Sequence, residues 1–363
     1  FDISGSTGTQ TIGDLSGTGI VNLGANDLIE GTANSTTYSG VIQGTGGLAK
    51  QLGSSGTLTL TGTNTYTGGT IINAGTIALS GAGSLSSIGE VFIGSGGTFD
   101  ISGINAASQT IGDLTGAAGG FVTLGAKGLI TGTASNDTYA GIIQGTGSLT
   151  KQGSGTFTLT GANTYSGGTT INAGTLALSG AGTLDSTGAV TINAGTFDIS
   201  GITAGTQTIG DLSGTGTVNL GAKELAEGTA NNTTYAGSLQ GVGGSLIKQG
   251  SGTLTLTGTS TYTGGTNINA GTLLVNGEIG STVTVAANAT LGGTGTVGDL
   301  INGGFVSPGE SIGTLTVNGN YTQLPNGQLV IEIAPDGATD LLQVTGTATL
   351  NGSLHIVPEV GIY

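Results

Sequence analysis

The segment GTLTLTGTNTYTGGTIINAG at 56–75 returns as GTFTLTGANTYSGGTTINAG at 155–174 and as GTLTLTGTSTYTGGTNINAG at 252–271. It sits inside a longer unit, because Phe-Asp-Ile-Ser-Gly opens the chain and recurs at Phe99 and Phe197, 98 residues apart each time. Gln-Thr-Ile-Gly-Asp-Leu starts at Gln10, Gln109 and Gln207, and Tyr-x-Gly-x-[Ile/Leu]-Gln-Gly at Tyr38, Tyr139 and Tyr235. A fixed internal period means that one supersecondary unit is stacked on copies of itself.

Within the unit the apolar residues come in short alternating pairs: Leu58 and Leu60, Ile77 and Leu79, Phe99 and Ile101. Residues two apart share a face of a strand, so these are strands. Strands of three to five residues that return about every twenty, with Gly, Asn, Ser and Thr between them, predict the coils of a parallel β-solenoid. No apolar 3.6-residue period persists for ten residues, so no helix is expected. Counting twenty residues per coil gives about 18 coils.

Comparing the copies separates inside from outside. Ile72, Ile171 and Ile268 keep their character, whereas the residues before them are Ile71, Thr170 and Asn267. The constant position is expected in the core and the variable one in solvent. By the same test Leu58, Phe157 and Leu254 point inward, and Thr59, Thr158 and Thr255 outward, where β-branching suits a strand. Residues 1–276 form the repeat region, and 277–363 continue the strand pattern with more varied turns as the C-terminal end of the solenoid.

Of 363 residues, 77 are glycine, only 7% are charged, and Cys, Met and Trp do not occur. Glycine in register with Leu, Ile and Val indicates ordered corners rather than a loose low-complexity tail. Five basic and 20 acidic residues give a net charge of −15, which disfavours nucleic acid and anionic lipid as partners. No apolar run reaches the roughly 18–20 residues of a membrane-spanning helix. The opening residues match the middle of a repeat, so a longer parent chain is expected.

Segments such as GSLTKQGSGTFTLTGANTYSGGTTINAGTLALSGAG at 147–182 resemble the autotransporter-associated β-strand repeat of passenger domains in Gram-negative type V secretion. SPGESIGTLTVNGNYTQ and DLLQVTGTATLNGSL in the tail resemble the junction that precedes the outer-membrane barrel. The resemblance implies a right-handed parallel β-helix, all-β, exported through the outer membrane and displayed on the cell surface. It also implies an autochaperone-like role for the membrane-proximal coils at 277–363, adhesion or self-association as activity, and the chain's own barrel as a partner in the full-length protein.

Reactive chemistry is sparse. The one histidine, His355, lies in the strand-like SLHIV and has no GDSG or GxSxG motif beside it, so a Ser-His-Asp mechanism is not expected. One His and no Cys cannot supply a usual zinc site. GTGTVG at 293–298 matches a dinucleotide fingerprint in letters only, since no helix is expected after it. Polysaccharide-acting β-helix enzymes share the scaffold, and the carboxylates Asp2 and Asp14, with their copies Asp100 and Asp113, then Asp198 and Asp211, are the candidate pairs. Repetition at three heights favours turn acids over an active site or a calcium site.

Two recurring groups are left as candidates for lateral contact. Lys50, Lys151 and Lys248 occur once per unit in Leu-x-Lys-Gln, as solubilising charges or as a basic stripe facing the acidic surface of a neighbour. Tyr38, Tyr66, Tyr139, Tyr165, Tyr235 and Tyr262 either cover corners of the core or offer aromatic faces to sugars or to another copy. At about five coils per unit, equivalent tyrosines would lie about 24 Å apart along the axis. The expectation is a surface-displayed structural adhesin, not an enzyme, with no cofactor, no metal and no catalytic residues. Its partners would be itself on neighbouring cells, or host or matrix glycans or proteins. A polysaccharide-acting enzyme and a passive spacer for a distal head are the alternatives.

Overall fold

A computed structural model of the chain describes residues 1–359. Among the described residues there is no helix; the fold is all-β, a parallel β-solenoid of about 17 turns. The turns are therefore slightly longer than the twenty residues assumed from the sequence. Contacts group the chain into two units, Phe1–Gly188 and a second that begins at Ala189.

In the first unit the strands cycle through three sheets. Leu114–Gly116, Phe121–Gly125 and Gly128–Thr131 belong to different sheets. The next three strands, Asp137–Tyr139, Ile142–Gly145 and Leu149–Lys151, pair with them in the same order, all in parallel. In the second unit Tyr321–Gln323, Gln328–Ile333 and Leu341–Val344 stack likewise on Leu300–Asn302, Phe305–Pro308 and Thr314–Val317. Backbone ladders between turns thus satisfy the peptide groups that a chain of three-residue strands could not satisfy locally.

Alternation sets the core as the copies indicate. Leu58, Ile72, Phe157, Ile171, Leu254 and Ile268 are buried, and Ile71 is 44% exposed. Thr59, Thr158 and Thr255 lie half-exposed on the outer side of the same strands.

The copies do not stack in whole turns. Leu48–Lys50 and Thr156–Leu159 lie in one sheet of the first unit, whereas Leu149–Lys151, the copy of Leu48–Lys50, lies in another. A 98-residue unit is therefore not a whole number of turns, and the second copy is rotated by one wall from the first. Equivalent residues of these copies face different directions, so they do not line up in one stripe along one wall of this unit.

Candidate functional site

The nine side chains named as candidates for lateral contact are inside, the tyrosines as covers of core corners. Lys50, Lys151 and Lys248 are each 1% exposed, and Tyr38, Tyr66, Tyr139, Tyr165, Tyr235 and Tyr262 do not exceed 3%. The physical reason lies in strand periodicity. In Leu48-Ala49-Lys50 the lysine is two residues from a core leucine and shares its face. Tyr38 lies in register beside Leu60, Tyr139 beside Leu159 and Tyr235 beside Leu256, all inward positions.

The tyrosines are corner posts. Tyr66 and Tyr165 each share a hydrogen bond with the threonine four residues on, Thr70 and Thr169, at 2.7 Å, and Tyr262 does so with Thr266. Tyr38 and Tyr235 donate to the backbone carbonyls of Gly19 and Gly216, at 2.6 and 2.7 Å, one turn earlier. Burial raises all six hydroxyls above the ordinary tyrosine pKa. The glycine of Tyr-x-Gly is a space requirement. A Cβ on Gly40, Gly141 or Gly237 would sit 2.4–2.6 Å from the phenol end of the tyrosine two residues before it.

Each buried ammonium sits at a corner as well. Lys50 Nζ donates to Glu30 Oε1 at 3.1 Å, one turn back. Lys151 Nζ donates to the carbonyls of Gln152, Gly153 and Ala173 at 2.6, 2.8 and 3.4 Å, and Lys248 Nζ to those of Gly250 and Ala270 at 2.7 and 3.5 Å. Gly31 and Gly228 follow the acidic position with φ of +122° and +118°, and a Cβ on either would come 3.1 Å from the lysine nitrogen. The counter-charge is not copied faithfully. Glu30 and Glu227 occupy equivalent positions in the first and third copies, but the second has Thr131 there. That copy instead carries Asp137 where the others have Thr36 and Thr233, and Asp137 and Asp113 are the charges that oppose the burial-driven fall of the Lys151 pKa.

Burial pushes Glu227 up to about 7 against the pull of Lys248, and raises Glu30 despite Lys50. Asp137 is pushed up to about 6, first by burial and then by Asp113. Such displaced carboxyl groups can mark catalysis, but here each is explained by burial in a packed corner, opposed by the neighbouring lysine and, for Asp137, reinforced by Asp113.

The candidate carboxylates close turns. Asp2, Asp100 and Asp198 each accept the amide of the residue two on, Ser4, Ser102 and Ser200, at 2.8 Å. Asp14 accepts the Thr32 amide and hydroxyl at 3.2 and 2.7 Å and the Asn34 side chain at 2.8 Å. Asp211 repeats this with Thr229 and Asn231. These bonds hold Asp2, through Ser4 first, and Asp14, through Asn34 first, below the ordinary carboxylate range. No cluster of three or more metal-ligating side chains occurs among the described residues. His355 lies exposed on Ser353–Pro358, beside Val330 of the neighbouring strand.

Sequence reasoning missed one structural residue that its copies could have shown. Asn64 accepts the Ile42 amide at 3.0 Å and donates to the Gly62 and Ser84 carbonyls at 2.9 and 3.1 Å, bridging three turns. Asn163 makes the same three bonds, and Ser260 keeps only the first, at 3.3 Å to Leu239. With the chemistry turned inward, the outer walls carry hydroxyl columns such as Thr57, Thr76 and Thr98, and Thr253, Thr272 and Thr290.

A solenoid whose repeated polar groups serve its corners, and whose outer strands present threonine, defines a scaffold exposed along its sides. The family described as passenger-associated-transport-repeat matches residues 54–79, 149–178 and 246–275, one segment in each copy. Over 128 residues the chain is 34% identical to an extracellular serine protease of Serratia marcescens, a match covering 35% of this chain and 12% of that relative. These matches make the chain similar to autotransporter passenger regions with β-helix repeats.

Proposed function

We propose that this region is a structural adhesin that works through its lateral surface, by self-association or by attachment to glycans or proteins of a host or matrix. The observation that carries the reading is the division of labour across each strand. Tyr, Lys, Asn and the repeated Asp are spent on corners and turns, whereas Thr columns repeat outward. Many weak polar contacts repeated along a scaffold gain strength by avidity and require no deep cleft. Displayed on cells, the full-length protein should promote settling or attachment. Deleting residues 1–276 should abolish both, and unchanged settling and attachment would overturn the reading.

A second reading has its own support. The similarity to an extracellular serine protease, confined to 12% of that relative, fits a carrier that holds an active head elsewhere in a longer protein. Protease and glycan-cleavage assays on residues 1–363 alone separate the two from an enzymatic role. Neither activity is expected, and turnover would place chemistry in this region.

A further inference from the structure

One wall of the first unit departs from the threonine pattern. The outward positions of four successive strands, Leu28–Glu30, Leu48–Lys50, Thr70–Ile72 and Val91–Ile93, are Ile29, Ala49, Ile71 and Phe92, in register. In the second copy the corresponding residues are Ile130, Thr150, Thr170 and Thr191, and in the third Ala226, Ile247, Asn267 and Thr284. Two residues earlier, just before each of these strands, lie Asp27, Gly47, Gly69 and Glu90, with a carboxylate at each end and two buried glycines between. Asp27 and Glu90 are exposed. The small residues leave a cleft of about 210 Å³ lined by Asp27, Ile29, Ala49 and Ile71, which meets a second of about 240 Å³ beside Glu90 and Phe92 at the shared wall of Gly68, Gly69 and Ile71.

We infer that this groove binds a basic, apolar peptide segment of a partner protein: two cations that flank one large apolar side chain. Charge selects the occupant. Asp27 and Glu90 close the groove at both ends, and with Lys50, Lys151 and Lys248 buried, only Lys127 and Lys223 remain as lysines that reach the surface. A second copy would bring carboxylates to carboxylates. Branched aliphatic walls at Ile29 and Ile71 suit a hydrocarbon knob over Ala49 and would strip water from sugar hydroxyls without replacing it. Three turns separate Asp27 from Glu90, about 14 Å at the spacing of paired strands, which an extended peptide spans in about four residues. The matching sequence is basic-x-apolar-x-basic.

This rests on the adhesive reading and gives one face of it a partner chemistry. The test uses the whole chain and an immobilised peptide, Lys-Ala-Phe-Ala-Lys, with Glu-Ala-Phe-Ala-Glu and Lys-Ala-Ser-Ala-Lys as controls. The first should bind, weaken with salt, and exceed both controls. I71T/F92T, which installs the residues of the second copy, and D27N/E90Q, which keeps the Asp27 acceptor for the Gly47 amide, should each weaken binding about tenfold. Unchanged melting would certify either variant as folded. No binding, equal binding of the acidic peptide, insensitivity to both variants, or neutral glycans competing for the groove would each overturn the inference. Settling of cells that display I71T/F92T reads the adhesive function separately, because it depends on the remaining surface.

Discussion

Lys50 and Glu30 face each other across adjacent turns at 3.1 Å, each 1% exposed, in a column that continues through Ile72. An ion pair in a wall of Leu and Ile stabilises little relative to apolar residues, yet breaking it by removing one partner is costly because the survivor is left uncompensated. K50M should therefore destabilise the first unit by about 3–5 kcal/mol. E30T should cost less, because Lys151 already sits over Thr131 with its ammonium held by carbonyls. A double-mutant cycle read by thermal unfolding checks both, and equal costs would refute the carbonyl cage.

Glu227 supplies a pH dependence of known sign. Its carboxyl is raised from 4.5 to about 7 in the fold, so the folded state favours its protonated form. The resulting stability is complete below the unfolded value and is lost as pH rises through about 7. Melting temperature should fall between pH 5 and pH 8, and E227Q should flatten that slope. A slope unchanged in E227Q would contradict the assignment.

The six tyrosines separate hydrogen bonding from packing. The Tyr139 hydroxyl is buried without a hydrogen-bond partner, whereas that of Tyr235 donates to Gly216. Y139F should be neutral or stabilising, and Y235F should cost about 1 kcal/mol. G40A should cost about 1–3 kcal/mol by overpacking against Tyr38 and the Gly19 carbonyl. Chemical denaturation of the three variants is the measurement.

N64A removes a side chain that bonds three turns and leaves the buried Ile42 amide unsatisfied. A loss of about 2 kcal/mol is expected, with N64S milder because Ser260 keeps the equivalent of that amide bond. Amide exchange at Ile42 should accelerate in N64A, and unchanged protection would count against the bridge.

The strands, their parallel stacking and the inward apolar positions were all legible, because alternation and repetition are carried by the letters themselves. The placement of Lys50, Lys151 and Lys248 was legible too, since Leu-x-Lys puts the lysine on the leucine's face. Residue character suggested solvent, and periodicity prevailed because corner carbonyls offer an ammonium what water would. The rotation between copies was not legible. It depends on the fractional number of turns in 98 residues, and corner lengths set that, not strand pattern. The apolar column of Ile29, Ala49, Ile71 and Phe92 was equally hidden, since its members lie about twenty residues apart and only register brings them together.

A surface with three of five lysines withdrawn is almost wholly anionic. Calcium or a shift toward pH 5 should promote association of the isolated chain by reducing repulsion. Light scattering that shows indifference to both would argue against contact between copies.

The central claim is that the repeated polar residues serve the stack and not its partners, and amine labelling of the native chain followed by mass spectrometry tests it most directly. Lys127, Lys223 and the N-terminus should react, while Lys50, Lys151 and Lys248 stay protected until the chain is unfolded. Labelling of those three at the rate of Lys127 under native conditions would contradict it.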